Sequence, residues 1–155
     1  MPVSAGILVY RTGKNGPEFL LGHPGGPFFR KKDEESWTIP KGLMETDEDG
    51  LAAAVREFTE ETNYPLKGKK FLPLPDVKYK NGKLLKSWAI EEDFGSLEDF
   101  RSNTFELEWP PRSGTIQDFP EVDRLEYFPY SEACRKIHPI QLPLVKFVHS
   151  FLEGK

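Results

Sequence analysis

Residues 47–64 of this chain, DEDGLAAAVREFTEETNY, read as one capped amphipathic helix. Leu51, Val55, Phe58 and Thr62 recur at helical spacing and form a stripe that needs a sheet to pack on. Ala52, Ala53 and Ala54 favour helix and leave room beside that stripe. Asp47, Glu48 and Asp49 are placed to accept the free N–H groups of the first turn and to meet the positive end of the helix dipole. Asn63 stands where the helix should stop, and Asn is the next best residue after Gly for a left-handed cap. A second face carries Glu57, Glu60 and Glu61 at i, i+3 and i+4. Helix energetics does not ask for that, because like charges at this spacing cost about 0.2–0.5 kcal/mol per pair. A cluster of hard oxygen ligands on a rigid element is what a divalent cation such as Mg²⁺ requires.

With Gly42 and the loop that follows it, this stretch resembles the Nudix box, the signature of the Nudix hydrolases. The box is Gly, five residues, Glu, seven residues, Arg-Glu, a bulky apolar residue, any residue, Glu-Glu, any residue, Gly, and a bulky apolar residue. Here the pattern runs Gly42, Glu48, Arg56-Glu57, Phe58, Thr59, Glu60-Glu61, Thr62, Asn63, Tyr64. The departure is Asn63 in place of Gly, a cap position whose conformation Asn tolerates. The resemblance implies an α/β (α+β) fold, an α/β/α sandwich with a mixed central sheet and a loop–helix–loop catalytic motif at its edge. It also implies cleavage of a pyrophosphate bond with Mg²⁺, or Mn²⁺, as cofactor. Glu57, Glu60 and Glu61 would be metal ligands, joined by the carbonyl of Gly42. Gly42 would permit a tight backbone turn. Arg56 and Glu48 would be structural, Arg56 reaching Glu60 and Glu48 to hold the loop and its carboxylates.

The rest of the chain fits one domain over residues 1–155, long enough to bury a core. Residues 3–11 and 18–23 read as buried strands, and Trp37-Thr38-Ile39 as a short strand stopped by Pro40. Residues 64–75 read as irregular or edge-like. Asn81-Gly82, between two strand-like runs in residues 76–91, suits a type I′ hairpin turn. Residues 96–102 suggest one or two helical turns, residues 103–109 a strand, 110–120 a long loop, and 121–128 another strand. Residues 131–137 and 141–153 read as helices, the second with Leu142, Leu144, Val145, Val148, Phe151 and Leu152 inward.

The net charge is −4 and only one cysteine, Cys134, is present. A general nucleic-acid binder would carry a basic field instead, and no internal disulfide is possible. The start, MPVSAGILVY, lacks the charged flank of a signal peptide, and no segment approaches the length of a membrane span. The expected setting is the cytoplasm, with a nucleotide as small-molecule partner, no nucleic acid, no membrane, and a monomer or homodimer. No phosphate-binding Gly-rich loop with Lys-Ser/Thr, zinc set or Ser-His-Asp spacing competes.

Outside the box, Lys41 is a point charge for a phosphate oxygen. The run Trp37-Thr38-Ile39-Pro40-Lys41-Gly42 resembles what precedes the box in Nudix members that cleave dinucleoside polyphosphates. In that branch a glutamate ahead of an aromatic joins the metal site from across the cleft, which makes Glu121, before Tyr127, a candidate ligand and catalytic group beside Glu57, Glu60 and Glu61. Glu106 and Glu108 compete with it, although their alternation with apolar residues suits the outer face of a strand. Arg30, Lys31, Lys32 and Arg112 are candidate phosphate clamps, and each is equally readable as surface charge. Phe28 and Phe29 lead the aromatics that could stack on a base, ahead of Tyr10, Tyr64, Tyr79 and Trp88; most aromatics in a domain are core. His23 and His138 read as bystanders.

The expected substrate is a nucleoside diphosphate linked to another group, diadenosine polyphosphates first, because the loops at 23–36 and 110–120 add surface for a long ligand. A nucleoside triphosphate pyrophosphatase, a nucleoside diphosphate-sugar hydrolase and a non-enzymatic nucleotide sensor are the alternatives.

Overall fold

A run of small and branched apolar residues, Val3–Gly13, forms the central strand β1 of the computed structural model, which describes residues 2–154. The elements that follow are β2 (Gly16–Pro24), β3 (Lys41–Leu43), α1 (Gly50–Thr62), β4 (Leu72–Pro73), β5 (Val77–Lys78), β6 (Leu84–Glu91), β7 (Thr104–Glu108), β8 (Ile116–Pro120), β9 (Val122–Pro129), α2 (Tyr130–Lys136) and α3 (Leu142–Glu153), with a 3-10 turn at Pro139–Gln141 before α3. The main sheet runs β4-β6-β1-β2-β9, β1 and β6 being parallel and the other pairs antiparallel. It is therefore a mixed sheet between helices, the expected sandwich.

Alternation along β1 and β2 feeds both layers. Ile7, Val9 and Leu20 face α1, where Ala53, Ala54 and Phe58 pack on them with Ile90 and Leu125. Leu8, Phe19 and Leu21 face the other way, onto Trp37, Phe128, Ala133, Ile137, Leu144, Val145 and Val148. Burying a side chain such as Phe58 stabilises by about 1.5–3 kcal/mol, several times the repulsion of about 0.2–0.5 kcal/mol per glutamate pair. Packing thus holds α1 in place in spite of its acidic face.

One edge of β1 is shared. Tyr10–Gly13 pair with β2, whereas Ser4, Ala5 and Gly6 pair with β3. This overturns the expectation of a strand at 37–39. Trp37 and Thr38 make only isolated bridges, to Ile137 and Gly22, and the strand begins after Pro40. The Pro40 carbonyl accepts from the Ile7 N–H, so the chain joins β1 only once past the residue that has no N–H of its own.

Three further expectations are corrected. Residues 96–102 form no helix: Leu97 is left-handed, and the segment turns its amides to the end of α1, Arg101 N–H donating to the Thr62 carbonyl and Asn103 N–H to the Glu60 carbonyl. Part of the 110–120 loop is β8, which pairs with β7 to make a separate two-stranded hairpin. The turn at Asn81-Gly82 is not type I′, since Gly82 alone has positive φ; Gly82 N–H donates to Tyr79 C=O, and the Asn81 side chain accepts from Lys83 N–H.

Asn63 caps α1 in the left-handed conformation at φ 70°, its N–H donating to Thr59 C=O, while its side-chain amide donates to Asp99 C=O. That side-chain bond ties α1 to the strap at 97–103. Asn63→Gly should gain backbone ease and lose the tie, leaving stability within about 0.5 kcal/mol, whereas Asn63→Ala should lose about 1–2 kcal/mol because it keeps the strain without the bond. Thermal melts check this; equal loss in both variants would mean that the side-chain bond alone matters.

Candidate active site

The site begins at the N-terminus of α1. The Asp49 carboxylate accepts from Ala52 N–H and starts the helix. The Glu48 carboxylate reaches back to accept from Glu45 N–H and meets Arg56 in two bonds of 2.8 Å, Nε to Oε2 and Nη2 to Oε1. Such a paired fork is the strongest geometry available to an arginine and a carboxylate. It pulls the Glu48 carboxyl down to about 2, helped by the Glu45 amide. Arg56 also donates to Glu57 Oε1 at 2.9 Å, to Glu60 at 3.2 Å and to the Leu43 carbonyl at 3.3 Å, fastening the loop to the helix.

Glu57 and Glu61 are nearly buried beneath β3, while Glu60 is exposed. Glu61 Oε1 accepts from the Lys41 N–H at 3.3 Å. A Cβ at Gly42 would overlap the Glu57 carboxylate, so the glycine lets that carboxylate lie close against β3. The tight turn expected of Gly42 is not what the strand shows: Gly42 is paired with Ala5 in β3.

Glu121 arrives from far along the chain. Its N–H donates to the Asn103 carbonyl, and its own carbonyl accepts from Gly25 N–H. Since Asn103 N–H is bound to Glu60 C=O, one residue clasps the end of α1 to the joint between β8 and β9. The Glu121 side chain enters the same cleft, of about 590 Å³, as Lys41, Gly42, Glu57, Glu60 and Glu61.

Burial raises three of these carboxylates. Burial lifts Glu61 to about 8, with Glu57 and Glu121 adding to the rise and Lys41 opposing it. Glu57 is raised by burial and, more weakly, by Glu60 and Glu121, against the pull of Arg56. Loss of water also raises Glu121, again with Lys41 opposing. Among the described residues, no three His, Cys, Asp or Glu side chains converge on one point as they stand. Arg56 holds Glu57 and Glu60, and the Lys41 amide holds Glu61. The donor chemistry nonetheless fits a hard divalent cation: oxygen ligands only, in excess negative charge, on a packed helix.

Of the other candidates, Phe28, Arg30 and Arg112 do not line this cleft. Phe28 meets Trp109 edge-on at 5.4 Å, and Arg112 has positive φ in the connection between β7 and β8. Glu106 pairs across the hairpin with Asp118. Tyr64 stacks on Phe94 in the core, and of the aromatics considered for stacking only Tyr79 lines the cleft.

His23 and His138, read as bystanders, each have bonded partners. His23 is buried, with Nδ1 2.7 Å from Asp123 Oδ1 and Nε2 2.6 Å from the Lys32 carbonyl. The ring therefore ties the end of β2 to β9 on one side and to the loop that follows β2 on the other. His138 lies on the cleft and caps the 3-10 turn, Nδ1 accepting from Ile140 N–H, which leaves the proton on Nε2. Asn81, Lys83, Asn103 and Gln141 also line the cleft and were not foreseen. Only the Asn81-Gly82 turn signal pointed at that stretch.

The chain belongs to the NUDIX family, whose NUDIX domain model matches residues 1–151. Among solved structures, the fold matches an Ap4A hydrolase of C. elegans in a binary complex, with a TM-score of 0.72 and 23% identity over 98% of this chain and 99% of that one. It matches the NUDIX domain of Shewanella oneidensis NrtR complexed with ADP ribose, with a TM-score of 0.67 and 12% identity over 97% of this chain and 87% of that one. It also matches the E. coli ORF135 protein, with a TM-score of 0.60 and 18% identity over 100% and 94% of the two chains. At these identities the likeness speaks for the fold alone. No curated protein matches the chain. Among the described residues, no helix is long and apolar enough to cross a membrane.

The burial of Glu61 has a measurable consequence for the metal-free protein. Folded, Glu61 keeps its proton up to about 8; unfolded, it loses it in the ordinary carboxylate range. The native state therefore binds more protons in that window, and stability falls as pH rises through it. Melting temperature without divalent cation should drop between about pH 5 and about pH 8. Glu61→Gln should flatten the slope, and an unchanged slope in that variant would place the titration elsewhere.

Proposed function

We propose that this chain hydrolyses a pyrophosphate bond in a nucleoside diphosphate linked to another group, with diadenosine polyphosphates as the preferred substrates. The observation that carries the reading is the gathering of Glu57, Glu60, Glu61 and Glu121 with Lys41 in one cleft. Glu57, Glu60, Glu61 and Glu121, with the Gly42 carbonyl, would hold Mg²⁺ or Mn²⁺. Bound there, the cation supplies charge neutralisation for the bridging phosphates and a lowered pKa for water. Lys41 offers its ammonium to a phosphate oxygen. One of Glu60, Glu61 and Glu121 takes the proton of the attacking water. Arg56 and Glu48 keep the loop and its carboxylates in register.

The choice of a dinucleoside substrate is supported by Tyr79, Asn81, Lys83 and His138, which line the same cleft as the glutamates and add donors and a ring to it. The end-to-end likeness to the C. elegans Ap4A hydrolase agrees with it. Phe28, Arg30 and Arg112 lie outside the cleft lining, and we assign them only to the part of a long substrate that projects past Glu121. The ADP ribose in the S. oneidensis NUDIX domain keeps a second reading in view, a nucleoside diphosphate joined to a sugar.

Product analysis by anion exchange, with Mg²⁺ and a panel of diadenosine tetraphosphate, nucleoside triphosphates, an oxidised guanine nucleotide and nucleoside diphosphate sugars, tests the reading. Preferential cleavage of diadenosine tetraphosphate into unequal nucleotides is expected. Preference for a triphosphate or a sugar conjugate would replace the substrate assignment. Glu60→Gln and Glu61→Gln should lower kcat by about a hundredfold or more while the fold survives; near-normal turnover in both would remove the helix from the chemistry. Glu121→Gln should weaken activity more than Glu106→Gln, and the reverse order would exclude Glu121 from the site.

A further inference from the structure

Gln141 is the fully buried polar side chain in the wall of this cleft, and it makes two bonds to distant parts of the chain. Its Oε1 accepts from the Ile39 N–H at 2.9 Å, and its Nε2 donates to Tyr79 Oη at 2.9 Å. The backbone N–H of Ile39 can only donate, so the amide oxygen must face it and the amide nitrogen must face Tyr79. Tyr79 Oη is thereby an acceptor from Gln141, and its own O–H proton is left to a second acceptor. Tyr79 lines the cleft with Lys83 and His138, as the glutamates do. Ile39 directly precedes Pro40-Lys41-Gly42, so the same amide is anchored to the segment that carries Lys41 over Glu61.

We propose that Gln141 is a positioning residue that turns the Tyr79 hydroxyl into a hydrogen-bond donor for the part of a bound nucleotide beyond the scissile anhydride. The acceptor is a phosphate oxygen or an acceptor atom of the base. The proposal deepens, and rests on, the nucleotide reading above. Because Tyr79 touches only the portion of substrate that does not react, its bond is made equally in the ground state and the transition state. Its loss then appears in KM rather than in kcat.

The test is a mutant cycle of Gln141→Leu, Tyr79→Phe and the double variant, with kcat and KM measured on whichever nucleotide of the panel the wild type cleaves best. Each single variant should raise KM by about tenfold, the size of one lost hydrogen bond, with kcat within about twofold. The double variant should be no worse than Tyr79→Phe, because Gln141 acts through that hydroxyl. A kcat that falls as far as KM rises, a KM that does not move, or effects that multiply in the double variant would each overturn the proposal. Should Gln141→Leu fail to fold, Tyr79→Phe decides alone: a raised KM with steady kcat supports the donor, and an unchanged KM overturns it. Wild-type protein that cleaves no nucleotide would defeat the substrate reading and this proposal together. Wild-type cleavage with KM unmoved in the variants defeats the Gln141 assignment only.

Discussion

Arg56 divides one guanidinium among Glu48, Glu57, Glu60 and the Leu43 carbonyl. That sharing is what allows a helix with a like-charged face to sit under a strand. Without it, Glu57 and Glu61 would be buried carboxylates with only Lys41 to oppose them, and such groups discharge by taking up protons. Part of that discharge is visible already, in the upward displacement of Glu57, Glu61 and Glu121. Glu48, outside the crowd and held by the same arginine in a two-bond fork, goes the opposite way. One cation thus separates carboxylates kept ionised for structure from carboxylates left hungry for positive charge.

What could be read from the chain was what depends on near neighbours. The caps of α1, its packed stripe and its acidic face follow from spacings of a few residues, and β1 and β2 from short apolar runs. The failures share a cause in distant partners. Residues 116–120 have no buried alternation of their own and become a strand only by pairing with β7. Residues 97–103 could have supplied a helical turn, but their amides meet the carbonyl ends of α1 instead. Pro40 was read as an end to a strand, whereas the ladder starts on its far side.

The site divides along the same line. Its acidic wall was legible because Glu57, Glu60 and Glu61 sit on one turn of helix. Glu121 could be suspected by likeness, yet its entry into the cleft depends on Asn103, whose backbone is bound on both sides. The rest of the lining was opaque. Gln141 lies 102 residues from Ile39 and 62 from Tyr79, and nothing in the local sequence marks it. His23 is similar, since Asp123 lies 100 residues away.

The hairpin of β7 and β8 leaves the body between Asn103 and Glu121, two residues bonded to each other. Its base is therefore closed independently of whatever lies at its tip. Chain can be added or removed between Pro110 and Thr115 without passing strain to the Glu121 carboxylate. In evolutionary terms the hairpin is an interchangeable part: its length and composition can be retuned while the junction that carries Glu121 stays in register.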